Sequence, residues 1–251
     1  MSKLIILGSA NAIPDEKHEN THLVLVGEKC QLLIDCVGNP LVRLRQAGLD
    51  IDDLTGMILT HFHPDHVSGV PSLLMSLWLL GRRKPLIIYG LGHTLDRVEK
   101  VMGLYEWEDW PNFFPVTFCR LPAEEISLVM ENDEFRIFSS PVRHLLPTIG
   151  VRIESLHTGK IMAYSCDTEP CSQVIKLAEG VDVLIHEAAG PSPGHSSAAQ
   201  AGETAQRAQA KSLYLIHYPT GDFASQSLVK DAQKKFPGNV ELAEDFMELE
   251  F

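Results

Sequence analysis

Short apolar runs bounded by glycine fill most of the first 60 residues. Three of them are rich in leucine and β-branched residues and are typical of strands: KLIILGS, THLVLVG and QLLIDCVG. NPLVRLRQAGL has apolar residues at helical spacing instead and stops at Gly48. A strand, a helix and another strand follow: LTGMILTH, VSGVPSLLMSLWLLGRR and KPLIIYG. Residues 93–118 predict a helix and then an aromatic segment without periodicity.

The second half of the chain combines hairpins with strands that alternate with helices. One hairpin spans ISLVMENDEFRIFSSPVRH, and another joins TIGVRIES to KIMAYSCDT. The remaining elements are a strand, an alanine-rich helix, a strand, a helix over 225–235 and a closing strand: DVLIHEA, SSAAQAGETAQRAQA, SLYLIHY, 225–235 and VELAEDFMELEF. The pattern predicts one domain, residues 1–251, in which two sheets pack together with helices outside.

The stretch THFHPDHVSG places candidate metal ligands directly after a predicted strand. His61 and His63 are two positions apart, so on an extended segment they face the same side. Asp65 and His66 are neighbours and face different ways, so one turn can supply ligands to two metal ions. An H-x-H-x-D-H cluster is a specific signal, although a lone histidine is usually an ordinary residue.

Three more candidate ligands stand at the ends of later strands: His144, Asp167 and His217. Strand ends point into the loop layer, where sites tend to form. We expect two metal-binding groups, with Asp167 as the bridge between them: His61, His63 and His144, and Asp65, His66 and His217. Two ions roughly 3.5–4 Å apart form the arrangement that two-metal hydrolases use. Nitrogen and oxygen ligands without thiolate favour zinc, and they also suit manganese or iron.

The composition narrows the class of protein. The chain has 33 Asp and Glu against 21 Lys and Arg, a net charge of −12, which argues against binding polyanions by bulk attraction. Its five cysteines are odd in number and form no C-x-x-C pair, which favours a reduced, cytoplasmic protein. The amino-terminal apolar run is too short for a signal peptide, and no stretch approaches the roughly 20 apolar residues that span a membrane.

With these motifs, the chain resembles the metallo-β-lactamase superfamily and, within it, ribonuclease Z, the tRNA 3′-processing nuclease. The likeness covers nearly the whole chain, in successive segments: LGSANAIP, HFHPDHVSGVPSLL with PLIIYG, SPVRHLLPTIGVRIE, YSCDT, LIHEA, GHSS and LIHY. The resemblance implies an α/β fold, the αββα sandwich of two mixed β-sheets with outer helices, and a two-metal hydrolase. It also suggests a homodimer, with the apolar helix LLMSLWLL as a candidate surface and core burial as its alternative.

The resemblance further implies catalytic roles for two residues, and the two-metal reaction suggests one for a third. His195 in GHSS stands where the family has a catalytic histidine, and Glu187 in LIHEA where the family has the residue that orients it. The alternatives are a loop histidine and a strand-end carboxylate without a role in catalysis. Asp65, besides being a ligand, would orient the attacking water and accept its proton.

The chain also departs from ribonuclease Z. Only 22 residues, 145–166, separate His144 from Asp167, and the predicted tight hairpin leaves no room for the Gly/Pro-rich arm that binds the tRNA elbow in bacterial-type enzymes. The arginine that follows the last histidine in that family is missing from HYPTGDF. Cys166 replaces the usual glycine before Asp167 and is interpreted as a buried small residue.

These observations favour a two-metal phosphodiesterase acting on a small or flexible phosphodiester, such as a cyclic nucleotide or an RNA end. A lactonase or thioesterase on the same metals is the first alternative, because carbonyl hydrolysis does not need a second acid at His195. A metal-binding protein without turnover is the second, and the intact Asp65 and Asp167 argue against it. Cleavage of pre-tRNA would require another surface in place of the arm.

Overall fold

Two seven-stranded mixed sheets pack face to face, and helices cover the outer face of each sheet. The structure is a computed structural model of the chain and describes residues 2–224 and 227–251. This α/β arrangement confirms the predicted αββα sandwich.

The first sheet takes its strands from the first half of the chain and from the carboxyl terminus. Its strands are β1 (Lys3–Gly8), β2 (His22–Val26), β3 (Gln31–Ile34), β4 (Leu54–Leu59), β5 (Leu86–Leu91), β6 (Val116–Leu121) and β14 (Glu248–Glu250), in the order β14-β1-β2-β3-β4-β5-β6. The strands from β14 to β3 pair antiparallel, and those from β3 to β6 pair parallel. Four helices belong to this half: α1 (Pro40–Gln46), α2 (Pro64–Val67), α3 (Val70–Leu79) and α4 (Gly92–Leu104).

The second sheet repeats the same plan. Its strands are β7 (Ser127–Glu131), β8 (Phe135–Val142), β9 (Thr148–Ser155), β10 (Ile161–Tyr164), β11 (Val183–Glu187), β12 (Ser212–Ile216) and β13 (Asn239–Leu242), in the order β13-β12-β11-β10-β9-β8-β7. The strands from β13 to β10 pair parallel, and those from β10 to β7 pair antiparallel. Its helices are α5 (Ser172–Leu177), α6 (Ala198–Arg207) and α7 (Leu228–Gln233).

Three apolar layers hold these elements together. The layer between the sheets contains residues of both, such as Ile58 from β4 and Ile185 from β11. Leucines of α3 cover the first sheet, whereas alanines of α6 cover the second. A Cβ atom at Gly202 of α6 would lie 2.4 Å from the Ala232 carbonyl oxygen, so the close crossing of α6 and α7 requires glycine there.

Most predicted strands and helices are present, and the differences concern short elements. The pattern gave no strand at β6 and no helix at α5. The closing segment VELAEDFMELEF forms β13 and β14, which belong to different sheets, rather than one strand. The predicted helix over 225–235 is observed as α7, and residues 225–226 lie outside the described residues. Among the described residues, no helix is long and apolar enough to cross a membrane.

Candidate metal centre

All seven predicted ligands lie at one edge of the sandwich. Five of them stand within four residues of the end of a strand, and the other two lie in the short helix α2 that comes after β4. His61 and His63 follow β4, His144 follows β8, Asp167 follows β10 and His217 follows β12. Asp65 and His66 lie in α2, which begins at Pro64 directly after His63. The parallel strands β4, β10 and β12 end at this edge, so residues far apart in sequence meet there.

The first predicted group converges on one point. The Nε2 atom of His61 lies 2.9 Å from Nδ1 of His63, and Nε2 of His144 lies 3.1 Å from the same Nδ1 atom. Imidazole nitrogens bound at 2.0–2.1 Å to a tetrahedral zinc ion would be roughly 3.3 Å apart. The spacing of these three nitrogens therefore fits a shared metal ion.

The second predicted group lies beside the first. The Oδ2 atom of Asp65 is 3.5 Å from Nε2 of His217 and 3.7 Å from Nε2 of His66. Ligand atoms of these three residues all lie within 4.8 Å of one another.

Asp167 lies between the two groups. Its Oδ2 atom is 3.9 and 4.0 Å from Nε2 of His61 and His144, and 3.4 and 3.5 Å from Nε2 of His66 and His217. One carboxylate oxygen thus faces imidazoles of both groups, a position from which a carboxylate could bridge two ions.

Several ligand atoms of this cluster are buried without a hydrogen-bond partner among residues 2–224 and 227–251: Nε2 of His66, Nε2 of His217 and Oδ1 of Asp167. An unpaired buried polar atom is costly, and a cluster of them indicates a missing binding partner. The donor set of imidazoles and carboxylates suits a divalent transition metal. The residues present therefore fit the predicted pair of metal ions.

The charges of the cluster also suit cation binding. Burial holds the pKa of His61, His63 and His144 below the usual value, so their imidazoles are neutral and able to bind a metal. Burial acts to raise the pKa of Asp167, but His217 and His66 outweigh it and hold that pKa well below the usual value. The carboxylate at the centre is therefore ionised.

Asp35 supports both metal groups from behind, and the sequence interpretation missed it. Its Oδ2 atom accepts a hydrogen bond from His66 Nδ1 at 2.7 Å, and its carboxylate also accepts from the hydroxyl of Thr60. The Thr60 hydroxyl lies 3.2 Å from His61 Nδ1, which leaves the Nε2 atoms of His61 and His66 for the centre. Partners of this kind fix the tautomer and the orientation of ligand histidines. The available signal was the position of Asp35, directly after β3.

His195 and Glu187 form a pair at the rim of the cluster. His195 Nδ1 donates to Glu187 Oε1 at 3.1 Å, and the backbone amides of Thr168, Ser196 and Ala189 donate to the same carboxylate. Glu187 is fully buried, whereas the His195 side chain is 19% exposed. Burial acts to lower the pKa of His195, but the hydrogen bond to Glu187 outweighs it and raises that pKa.

The ring of His195 stacks on His217 with centroids 5.7 Å apart and lies 5.0 Å from the ring of His144. One ring nitrogen of His195, an Asp167 oxygen and a His217 nitrogen lie within 4.8 Å of one another. The imidazole therefore faces the centre from the solvent side.

Two of the departures from ribonuclease Z, the missing arm and Cys166, can be described in the structure. Residues 145–166 contain only the β9–β10 hairpin besides short connections, so no arm projects there. Cys166 is buried, as interpreted, and has a positive φ of 54°, a conformation that favours glycine. Its Sγ atom lies 3.7 Å from His61 Nδ1.

Comparison with known proteins agrees with this geometry. The family model described as "Beta-lactamase superfamily domain" matches residues 31–218, so the chain belongs to the β-lactamase superfamily. The chain is 27% identical to "Ribonuclease Z" from Methanothermobacter thermautotrophicus over 306 aligned positions, which cover 100% of this chain and 97% of the relative.

Two solved structures share the fold over their whole length. The metallo-β-lactamase fold protein YhfI from Bacillus subtilis has a TM-score of 0.85 and 22% identity, with 100% of this chain and 99% of that chain covered. Human tRNase Z, short form, has a TM-score of 0.78 and 23% identity, with 99% and 98% covered.

Proposed function

We propose that the protein is a metal-dependent hydrolase, and specifically a two-metal phosphodiesterase. The observation that carries the proposal is the buried Glu187, which holds His195 beside a cluster with two ligand groups. Carbonyl hydrolysis does not require such a second acid, whereas departure of an alkoxide from a phosphodiester benefits from one. The relatives named ribonuclease Z support the same reaction class.

Two sets of ligands would hold the metal ions, zinc by preference and manganese or iron otherwise: His61, His63 and His144, and Asp65, His66 and His217. Asp167 would bridge them. When bound, two divalent ions would neutralise charge on the phosphoryl oxygens and lower the pKa of water.

The protein's own groups complete the reaction. Asp65 is partly exposed and lies 3.5 Å from His217, so it can orient the attacking water and accept its proton at a carboxylate oxygen. Glu187 holds Nδ1 of His195, which leaves Nε2 to donate a proton to the leaving oxygen. The hydrogen bond to Glu187 raises the pKa of His195, which favours the protonated form that a general acid needs.

The substrate would be a small or flexible phosphodiester, such as a cyclic nucleotide or an RNA end. The tight β9–β10 hairpin supports this limit, since it offers no arm for a folded tRNA. We further propose a single domain over residues 1–251, a homodimer, and a cytoplasmic location, the last on the basis of the cysteine pattern.

The test combines turnover and metal content. The purified protein, reconstituted with zinc, manganese or iron, should hydrolyse bis(p-nitrophenyl) phosphate faster than a panel of lactones and thioesters. Elemental analysis should give about two ions per chain, with His63→Ala losing mainly one and Asp167→Ala weakening both. His157→Ala, at an exposed histidine outside the cluster, is the control. One ion or fewer after reconstitution, or preferred turnover of lactones, would contradict the proposal.

A further inference from the structure

A cleft of about 300 Å³ opens between the start of α5 and one face of α6. Arg143, Cys171 and Ser172 line one side of it, and α6 contributes the other. The α6 residues recur at helical spacing along one face: Gln200, Glu203, Thr204 and Arg207. The cleft is separate from the ligand cluster, since none of the seven proposed ligands lines it.

Two arginines give this cleft positive charge. Neither Arg143 nor Arg207 has a side-chain hydrogen bond or a carboxylate partner among the described residues. Most other arginines are engaged: Arg43 with Asp245, Arg120 with Asp96, and Arg136 with Glu131. In a chain with a net charge of −12, two free guanidinium groups at one cleft are a local exception.

The backbone fixes Arg143 beside the centre. Its amide donates to Thr168 Oγ1 at 3.2 Å, and its carbonyl accepts from the Glu169 amide at 2.7 Å. These bonds fix its backbone, whereas its guanidinium group has no hydrogen-bond partner among the described residues. Arg143 is also the residue directly before the proposed ligand His144.

Both sides of the cleft are formed by segments that are close in sequence to residues of the metal centre. Cys171 follows the proposed ligand Asp167 by four residues, and α6 begins three residues after His195. A chain molecule bound in the cleft can therefore extend to the metal centre along the same loops. A guanidinium group binds phosphate through two parallel hydrogen bonds, and a polynucleotide provides phosphates at regular intervals.

We propose that this cleft binds backbone phosphates of a single-stranded nucleic acid, close to the phosphodiester that is cleaved. The inference rests on the proposed phosphodiesterase function and selects, within it, an RNA or DNA end over a cyclic nucleotide. The two arginines give this cleft local positive charge in an otherwise acidic chain. Glu203 opposes it, because its carboxylate faces the same space.

Binding of a labelled, phosphorothioate-linked single-stranded RNA to the metal-loaded protein tests the proposal by fluorescence anisotropy. Arg143→Gln and Arg207→Gln should each raise Kd about two- to fivefold, the range for exposed ion pairs. The slope of log Kd against log salt should fall by about 0.7 for each arginine removed, as expected for one lost phosphate contact to a single strand. Glu203→Gln should lower Kd by a similar factor.

Arg45→Gln is the matched control, because Arg45 is an exposed arginine on α1 that also lacks a side-chain partner among the described residues. Kd values and salt slopes of Arg143→Gln and Arg207→Gln that equal those of Arg45→Gln would overturn the proposal. So would a wild-type protein that does not bind the RNA.

Turnover separates this inference from the proposed function. In both arginine variants, kcat/KM should fall more with a cleavable RNA than with bis(p-nitrophenyl) phosphate. Hydrolysis of the small ester without RNA binding would reject the cleft and keep the phosphodiesterase. RNA binding that depends on the two arginines, without hydrolysis of any phosphodiester, would keep the cleft and reject the phosphodiesterase.

Discussion

At the scale of single residues, the pair of Glu187 and His195 decides which reaction the centre favours. His195→Ala should retain both metal ions and lose phosphodiesterase kcat by roughly 10²–10⁴, the scale of general acid–base catalysis. Glu187→Gln should lose less, because Glu187 orients His195 without touching the substrate. The double variant should lose about as much as His195→Ala alone, since both residues act through one proton transfer.

Turnover and elemental analysis of the three variants check this expectation. Added imidazole should restore part of the rate to His195→Ala, which a merely misfolded variant would not show. Unchanged turnover in His195→Ala would remove His195 from the mechanism and favour the lactonase or thioesterase alternative. Loss of metal in that variant would instead make His195 a ligand, which its position near Asp167 and His217 allows.

At the scale of elements, burial of a histidine in strand β11 makes the stability of the fold sensitive to acid. His186 lies in β11 and is fully buried, and burial lowers its pKa from 6.5 to about 4. The unfolded chain binds a proton there below about pH 6.5, whereas the folded chain does not. Stability from this residue is therefore present above pH 6.5 and is lost as the pH falls towards 4.

His186→Asn should reduce the difference in unfolding free energy between pH 7.5 and pH 4.5 by about 2.5 kcal/mol. Asparagine can still donate to the Glu187 carbonyl, which accepts from His186 Nδ1 at 2.8 Å. Urea unfolding at fixed metal concentration measures this difference in unfolding free energy, because the metal contribution cancels between variant and wild type. His22→Asn in β2 should act in the same direction, since burial also lowers the pKa of His22 to about 4. An unchanged pH difference in both variants would refute the argument.

At the scale of the whole molecule, the outer surface of α3 and the end of α4 favour the proposed dimer. Met75 and Leu79 on α3 are 43% and 68% exposed, and Leu104 at the end of α4 is 83% exposed. Exposed apolar groups of this kind mark interaction surfaces when they form a patch. The other face of α3 is buried in the core, which confirms the core-burial alternative for that face, and the dimer surface stays a proposal for the exposed face.

Leu79→Glu should weaken the dimer roughly thirtyfold, the effect of losing one interface hot spot of about 2 kcal/mol. Light scattering after size exclusion, over a range of protein concentrations, measures the change. Leu156→Glu, at an exposed leucine in the β9–β10 turn, is the control and should leave the dimer intact. A wild-type protein that is monomeric at every concentration would contradict the proposed homodimer.

The sequence alone determined the elements that have strong local signals. Strand ends bearing His61, His144, Asp167 and His217 could be recognised because each follows a buried apolar run bounded by a turn. In an extended segment side chains alternate between two faces, so the spacing of H-x-H-x-D-H alone divides the neighbouring candidate ligands into two groups. These signals are local, so they survive without knowledge of the partner elements.

Only the tertiary structure decided which elements pair and which residues support the centre. The closing segment has one apolar pattern, yet β13 joins the second sheet and β14 the first. Between them, Asp245 accepts hydrogen bonds from Ser9 and from the Glu19 amide, which hold the crossing against the first half of the chain. Asp35 looks like an ordinary strand-end carboxylate until His66 and Thr60 are brought to it. Likewise, Arg143 and Arg207 are 64 residues apart in sequence and line one cleft only because α5 packs against both β8 and α6. Pairing over such distances depends on packing and on buried polar partners, which no local pattern contains.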